Sequence, residues 1–342
     1  MRLFNATKAN CSSARYSSCA NSADKRCQKH GKMRQNYIRL FAIVFATLMF
    51  ILSVIIATLA GNPKIHCGLF NQTIADVSRK YSSSITPASQ TFFIWSIIYL
   101  WQVVWLLYGM SLICRRRSHH YLYVFPPILS TTFYVAFAVN NIFTIAWTFV
   151  WIHEMIQVAL AMLAASVISL YLSLYCSFKN LYKFLNLLYK EDLGTDVWLM
   201  RILVQNGLSF YATWSTFATL LNFAIVLNDS GGINKNMAGT ITLGIAALFM
   251  LLWFMLDCII LDKYVRYTFS PYVVLIVAFT GIMVQHFDLS LHPRNSILTC
   301  VLLVLSALML LCKFITVTWL HSHQPIIIKA PIYALPTTHN MN

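Results

Sequence analysis

Charge is what this sequence has least of. Only 10% of its 342 residues are Asp, Glu, Lys or Arg, against roughly 25% in a soluble domain. With hydrophobic residues at 58% and a mean hydropathy of +0.66, that scarcity excludes a water-soluble fold. Acids are scarcer still, ten against 25 Lys and Arg, for a net charge of +15. Catalytic signatures are missing too. "WIHEMIQ" is not H-E-x-x-H, and neither G-x-S-x-G nor a Gly-rich phosphate loop occurs, so no enzyme activity is expected. The nine cysteines include no C-x-x-C pair, which removes the usual redox and zinc motifs, and their placement does not make a disulfide framework. Cys114 and Cys176, at helix ends, read as buried small residues in preference to palmitoylation sites.

The ten-residue alternation of a membrane barrel is absent, and no internal repeat supports an inverted-repeat transporter. What remains is a series of long apolar runs. A span needs about 20 apolar residues at 1.5 Å each. That length picks out eight: 41–60, 92–113, 127–151, 156–176, 208–227, 239–261, 271–287 and 297–320. Backbone polar groups in lipid must be satisfied within the segment, so the fold class is an all-α integral membrane protein.

The basic excess is unevenly placed. With the N-terminus in the cytosol, 20 of the 25 Lys and Arg, Lys313 among them, fall on the cytosolic side. Only Lys64, Arg79, Lys80, Lys235 and Arg294 fall outside. This is the positive-inside pattern, so both termini are expected in the cytosol, and the charge is topological and does not signal nucleic-acid binding. Residues 1–36, with Asp24 the only acid, have the composition of a disordered basic tail. A mitochondrial transit peptide shares that composition, but no amphipathic period emerges. The plasma membrane or an endomembrane is therefore favoured over the mitochondrial outer membrane. Residues 321–342 read as a second cytosolic tail. The loop 178–205 carries apolar residues at helical spacing beside lysines, which suits a segment lying on the membrane surface. Asn71-Gln72-Thr73 is a glycosylation sequon in the outer loop 61–90, whereas the sequon at Asn228 abuts a helix end.

Helical phase sorts the polar and aromatic residues inside the spans. In the second span Phe92, Trp95, Tyr99 and Gln102 share a stripe. In the third, Asn140, Phe143, Thr144, Trp147 and Trp151 align. In the fifth, "SFYATWSTFATLLNFAIVLN", Tyr211, Trp214, Ala218, Leu221 and Ile225 form a stripe with Asn222 at its flank. Two explanations compete. Amides bond across helices for about 0.6–2 kcal/mol, and end-of-helix aromatics form interfacial belts. Alternatively, flat rings with a few polar anchors line a pocket for a flat apolar ligand. Trp95, Trp147 and Trp214 lie several residues inside their spans, where a belt does not account for them.

The fifth span resembles the last helix of the TspO/MBR family, the tryptophan-rich sensory and translocator proteins, in which P-Y-x-x-W-x-x-F-A-x-x-L-N recurs. Tyr211, Trp214, Phe217, Ala218, Leu221 and Asn222 match in register, with Phe210 in place of the proline. "ITPASQTFFIWSIIYLWQ" is similar to the family's second helix through Thr86, Pro87, Phe92, Trp95 and Tyr99, with Gln90 replacing a tryptophan. "AVNNIFTIAWTFVW" resembles its third helix loosely. The likeness covers about residues 38–228, and it is nearest to a longer, eight-helix TspO-like branch. The resemblance implies a five-helix core over 37–228 with three added helices over 229–320. It also implies a central pocket for porphyrin, haem or sterol-like ligands and a lid formed by the outer loop. The residues it implies are Trp95, Tyr99, Asn140 and Trp147, then Trp214, Ala218 and Asn222, with Phe92 and Tyr211 added from the stripes. Two departures stand out: the cholesterol-binding V/L-x-Y-x-R/K motif after the last shared helix is absent, and the three added helices have no counterpart.

Asp257, one turn inside the sixth span, is costly in lipid, about 2.5–3.5 kcal/mol if central. Lys263 and Arg266 are the partners expected to neutralise it. Leu261 to Arg266 matches a common sterol-contact pattern. His153 and Glu154 read as interfacial polar residues, and the pairs His286/His292 and His321/His323 as solvated histidines. The resulting expectation is a multi-pass membrane protein that binds a planar hydrophobic ligand of tetrapyrrole or sterol type, for transport or for sensing. The competing classes are a small-solute transporter or channel, for which Asp257 and Glu154 would matter, and a structural scaffold. The expected partners are the lipid bilayer and a hydrophobic small molecule; homo-oligomerisation stays open.

Overall fold

The structure, a computed structural model, describes residues 37–62, 70–117, 120–288, 290, 293–324 and 326. The tail 1–36, most of the tail 321–342, and Cys11, Cys19, Cys27, Cys67 and His292 lie outside the described residues. Ten helices follow in order. They are α1 Tyr37–Gly61, α2 Ile74–Lys80, α3 Ser89–Cys114 with a 3-10 first turn, α4 Thr131–Ile152 and α5 Ile156–Lys190. After these come α6 Gly194–Asp229, α7 Lys235–Ile260, α8 Asp262–Val265, α9 Ser270–His286 and α10 Pro293–His323. A short hairpin pairs β1 Arg116–Arg117 with β2 His120–Tyr121. Seven of the helices are long and apolar enough to cross a membrane. The eighth expected span, α9, has 17 residues, roughly 25 Å, short of the ~30 Å hydrocarbon core.

The helices alternate in direction, so the molecule has two ends. One carries α2. The other, here the basic end, carries Arg115–Arg117, Lys179, Lys183, Lys190, Lys263 and Arg266. Local chemistry sets the starts. The Ser130 hydroxyl accepts from the Phe133 amide at 3.3 Å to cap α4, and Asn234 caps α7. Thr73 and Asp76 form a reciprocal capping box on α2, which satisfies two otherwise unpaired amides. The buried face of α5 is built on Ala159, Ser166, Ser169, Ser173 and Ser177. Such small residues let backbones approach; the Ser173 hydroxyl reaches the Phe133 carbonyl of α4 at 3.2 Å. At Gly207 of α6, an added Cβ would lie 2.7 Å from the Trp101 indole of α3, so only glycine permits that crossing.

Several expectations are corrected. The loop 178–205 is no surface segment: α5 runs to Lys190, a three-residue turn follows, and α6 starts at Gly194. The spacing that suggested a membrane-surface helix buries Phe178, Leu181, Leu185 and Leu188 in the main core. Asp257 does not pair with Lys263 or Arg266. It lies on the buried face of α7 and meets Lys313 of α10 at 2.5 Å, while Arg266 pairs with Asp262 one turn away and Lys263 lies over the Tyr182 and Tyr264 rings. Lys313, counted above among the cytosolic-side charges, is 2% exposed within α10. Cys114 is exposed at the end of α3.

Between α2 and α3 the chain descends without helix. Ala88 donates its amide to the Gly281 carbonyl of α9 at 3.0 Å. A Cβ on Gly281 would lie 2.3 Å from the Thr91 hydroxyl. The Ser84 hydroxyl donates to the Lys235 carbonyl at 3.0 Å. Through these contacts α7 and α9 cover the irregular stretch.

Candidate functional site

The second and fifth spans of the sequence meet as α3 and α6. Trp95 lies edge-on to Trp214 at a centroid distance of 6.4 Å and to Tyr211 at 6.1 Å, and stacks on Tyr99 at 5.7 Å. Phe92 contacts Trp214 edge-on at 6.1 Å. These separations are those of touching rings. Trp214 and Tyr211 are sealed in the interior, Trp95 and Tyr99 are half-buried, and Phe92 is 37% exposed. The cluster continues through Phe217 to Phe279 of α9 and through Tyr99 to Phe50 of α1.

Polar groups back the rings. Asn140 of α4 donates to the Tyr211 hydroxyl at 3.3 Å and accepts from the Ser166 hydroxyl of α5 at 2.6 Å. Thr144 joins the same group, 3.2 Å from Tyr211 and 3.3 Å from Ser166. Four side chains from three helices thus satisfy one another. Toward the basic end, Gln102 donates to the Gly207 carbonyl at 3.2 Å and accepts from the Trp105 indole at 2.6 Å.

Other groups are not satisfied. The indole Nε1 of Trp214, the indole Nε1 of Trp147 and the Oδ1 of Asn222 are buried and have no hydrogen-bond partner. Trp147 does not join the Trp95–Trp214 rings: it stacks on Trp151 at 5.8 Å, nearer the α2 end, in a cluster that includes Ile225 and Val226 of α6. Asn222, 3% exposed, lies between these levels on α6, and Ala218 is half-buried. The unpartnered atoms therefore follow one length of α6, from Trp214 past Asn222 to the level of Trp147.

At the top of that length a cavity of about 320 Å³ opens at the α2 end, lined in part by Lys80, Tyr81, Ala224, Ile225, Asn228 and Lys235. None of the nine candidate residues lines it, though Ala224 and Ile225 follow Asn222 within one turn. Beside it, α2 is strapped to the α4–α5 turn. Glu154, in the left-handed region at φ 60, accepts from the Lys80 ammonium, from Gln72 at 3.2 Å and from the Tyr81 hydroxyl at 2.9 Å. These bonds hold its carboxyl down at about 2 and push the Lys80 ammonium up. Asn71, the sequon residue, is exposed just before α2.

The sequence reading missed Ser166, Trp105 and Phe279, and matched Phe217 to the family's helix without making it a site residue. Ser166 had a signal in the Ser166, Ser169, Ser173, Ser177 spacing; Phe279 had none without its partner helix. Among the described residues no group of His, Cys, Asp and Glu could hold a metal ion.

The architecture and its buried aromatic cluster define a polytopic, all-helical membrane protein. A family model of the TSPO-like proteins matches residues 39–315, and the chain belongs to that family. The match runs through α7 and α9 into α10, so the C-terminal helices fall within the family's unit. A search of curated proteins and a search of solved structures each give no match.

Proposed function

We propose that the protein binds a flat hydrophobic ligand between α3, α4 and α6, against Trp95, Trp214 and Tyr211, entering from the α2 end. The observation that carries this reading is the run of unpartnered groups along α6. Two indole N–H donors and one amide oxygen are buried without partners, at a cost of about 1–3 kcal/mol each. A ligand with two acceptors and one donor would satisfy the groups that the fold leaves open, while the rings supply its apolar contact. Phe92, on the 3-10 turn and 37% exposed, is the ring best placed to swing aside. The resemblance to TspO/MBR proteins favours a tetrapyrrole or sterol, and the positive-inside rule puts the basic end in the cytosol.

A solute-transport reading would rest on Asp257 and Glu154, and both carboxylates are already engaged, by Lys313 and by Lys80. To test the binding reading, protoporphyrin IX and a fluorescent sterol are titrated into purified protein and tryptophan quenching is followed. Saturable quenching that weakens about tenfold in Trp214→Phe with Asn222→Ala is expected. The reading fails if neither probe saturates, or if the double variant binds as wild type does.

A further inference from the structure

The basic end contains a buried cation with no carboxylate. Arg201 lies on the π-helical turn Met200–Gln205 of α6 and is 7% exposed. Its guanidinium sits 4.2 Å from the Tyr267 ring centroid and 5.0 Å from that of Trp198. Two rings face a group with five N–H donors. No carboxylate comes within 4 Å of it among the described residues. Four acids of this end pair elsewhere: Asp192 with Arg117, Asp196 with Arg115, Asp257 with Lys313 and Asp262 with Arg266.

A second group points the same way. Gln205, four residues on and 2% exposed, has an amide Nε2 with no partner. A buried guanidinium without a counter-charge and a buried donor without an acceptor, on one turn, both call for an anion with several acceptor oxygens. Phosphate matches the guanidinium fork, and basic pockets between helices at a membrane surface take lipid head groups. The cover over the site is partly exposed. Trp198 is 39% and Tyr189 51% exposed, and His321 of α10, 2.8 Å from the Tyr267 hydroxyl, adds a third side chain at the rim.

We propose that Arg201 and Gln205 form a binding site for an anionic phosphate, carried by a lipid head group or by a free phosphate ester, with Trp198 and Tyr267 as its aromatic walls. Cation–π contact alone is the competing account, and it requires no ligand.

Full-length protein in nanodiscs decides between them. Brominated phosphatidylglycerol is compared with brominated phosphatidylcholine, and the Trp198 signal is isolated by difference from Trp198→Phe. Quenching by the anionic lipid that saturates at lower mole fraction, and that weakens about tenfold in Arg201→Gln, supports a lipid source. Inorganic phosphate that relieves this quenching, or that shifts Trp198 fluorescence in phosphatidylcholine discs, assigns the site to free phosphate as well. Equal quenching by both lipids with no effect of phosphate overturns the proposal, as does an Arg201→Gln protein that behaves like wild type. If Arg201→Gln fails to fold, Gln205→Leu takes its place, with the same outcomes deciding.

Discussion

Asp257 of α7 and Lys313 of α10 face each other at 2.5 Å, 0% and 2% exposed, and the Tyr272 hydroxyl of α9 donates to the same carboxylate at 2.6 Å. One polar junction therefore joins all three long C-terminal helices. Removing one partner strands a buried charge, at about 3–5 kcal/mol, whereas replacing both by apolar residues is often neutral. Asp257→Leu and Lys313→Met should each lower the unfolding midpoint in detergent sharply, and the double variant should regain most of the loss. Equal losses in all three would show that the pair contributes only packing.

The Glu154 strap gives a pH dependence with a definite sign. Its carboxyl lies at about 2 in the fold, below the ordinary 4.5. A depressed acid stabilises the fold fully above its ordinary value and loses that contribution as pH falls through the folded one. Amide exchange in α2 should therefore rise between pH 4.5 and about 2. In Glu154→Gln, α2 should exchange fast throughout, with no step over that range.

Two glycines separate crowding from open space. Gly207→Ala brings a methyl to 2.7 Å from the Trp101 indole and should destabilise by about 1–3 kcal/mol. At Gly244 of α7 nothing lies within 4 Å of an added Cβ. Gly244→Ala should therefore be neutral or stabilise by up to about 1 kcal/mol through helix propensity. Chemical unfolding of the two variants in the same detergent compares them directly.

Tyr211→Phe and Trp214→Phe should part company. The first removes a hydroxyl bonded to Asn140 and Thr144 and should cost about 1 kcal/mol. The second removes an N–H that has no partner together with ring volume from a fully buried site, so its stability cost should be that of the cavity left behind, while ligand quenching weakens.

The spans and the aromatic stripes were legible because 1.5 Å rise and 100° phase act within one helix. Trp95, Tyr99, Tyr211 and Trp214 could be placed on inward faces this way, and they do meet. Relations between helices were not legible. Trp147 shares a phase with Asn140, yet it lies two turns away and packs beside α2, because phase says nothing of depth. Lys313 was counted only as a cytosolic-side charge because its partner, Asp257, is 56 residues away in sequence. The segment 178–205 carried a correct helical period, but a period alone does not distinguish lipid from a neighbouring helix as the surface covered. Nor does sequence alone reveal that Arg201 is buried without a carboxylate.

The amide bond from Ala88 to the Gly281 carbonyl has a consequence for biosynthesis. The turn that begins α3 rests on a helix made almost two hundred residues later, and until that helix arrives the stretch before Trp95 has no wall to lean on. The early half of the protein thus completes its shape last, and a polypeptide stopped after α6 would emerge with the turn before α3 unsupported.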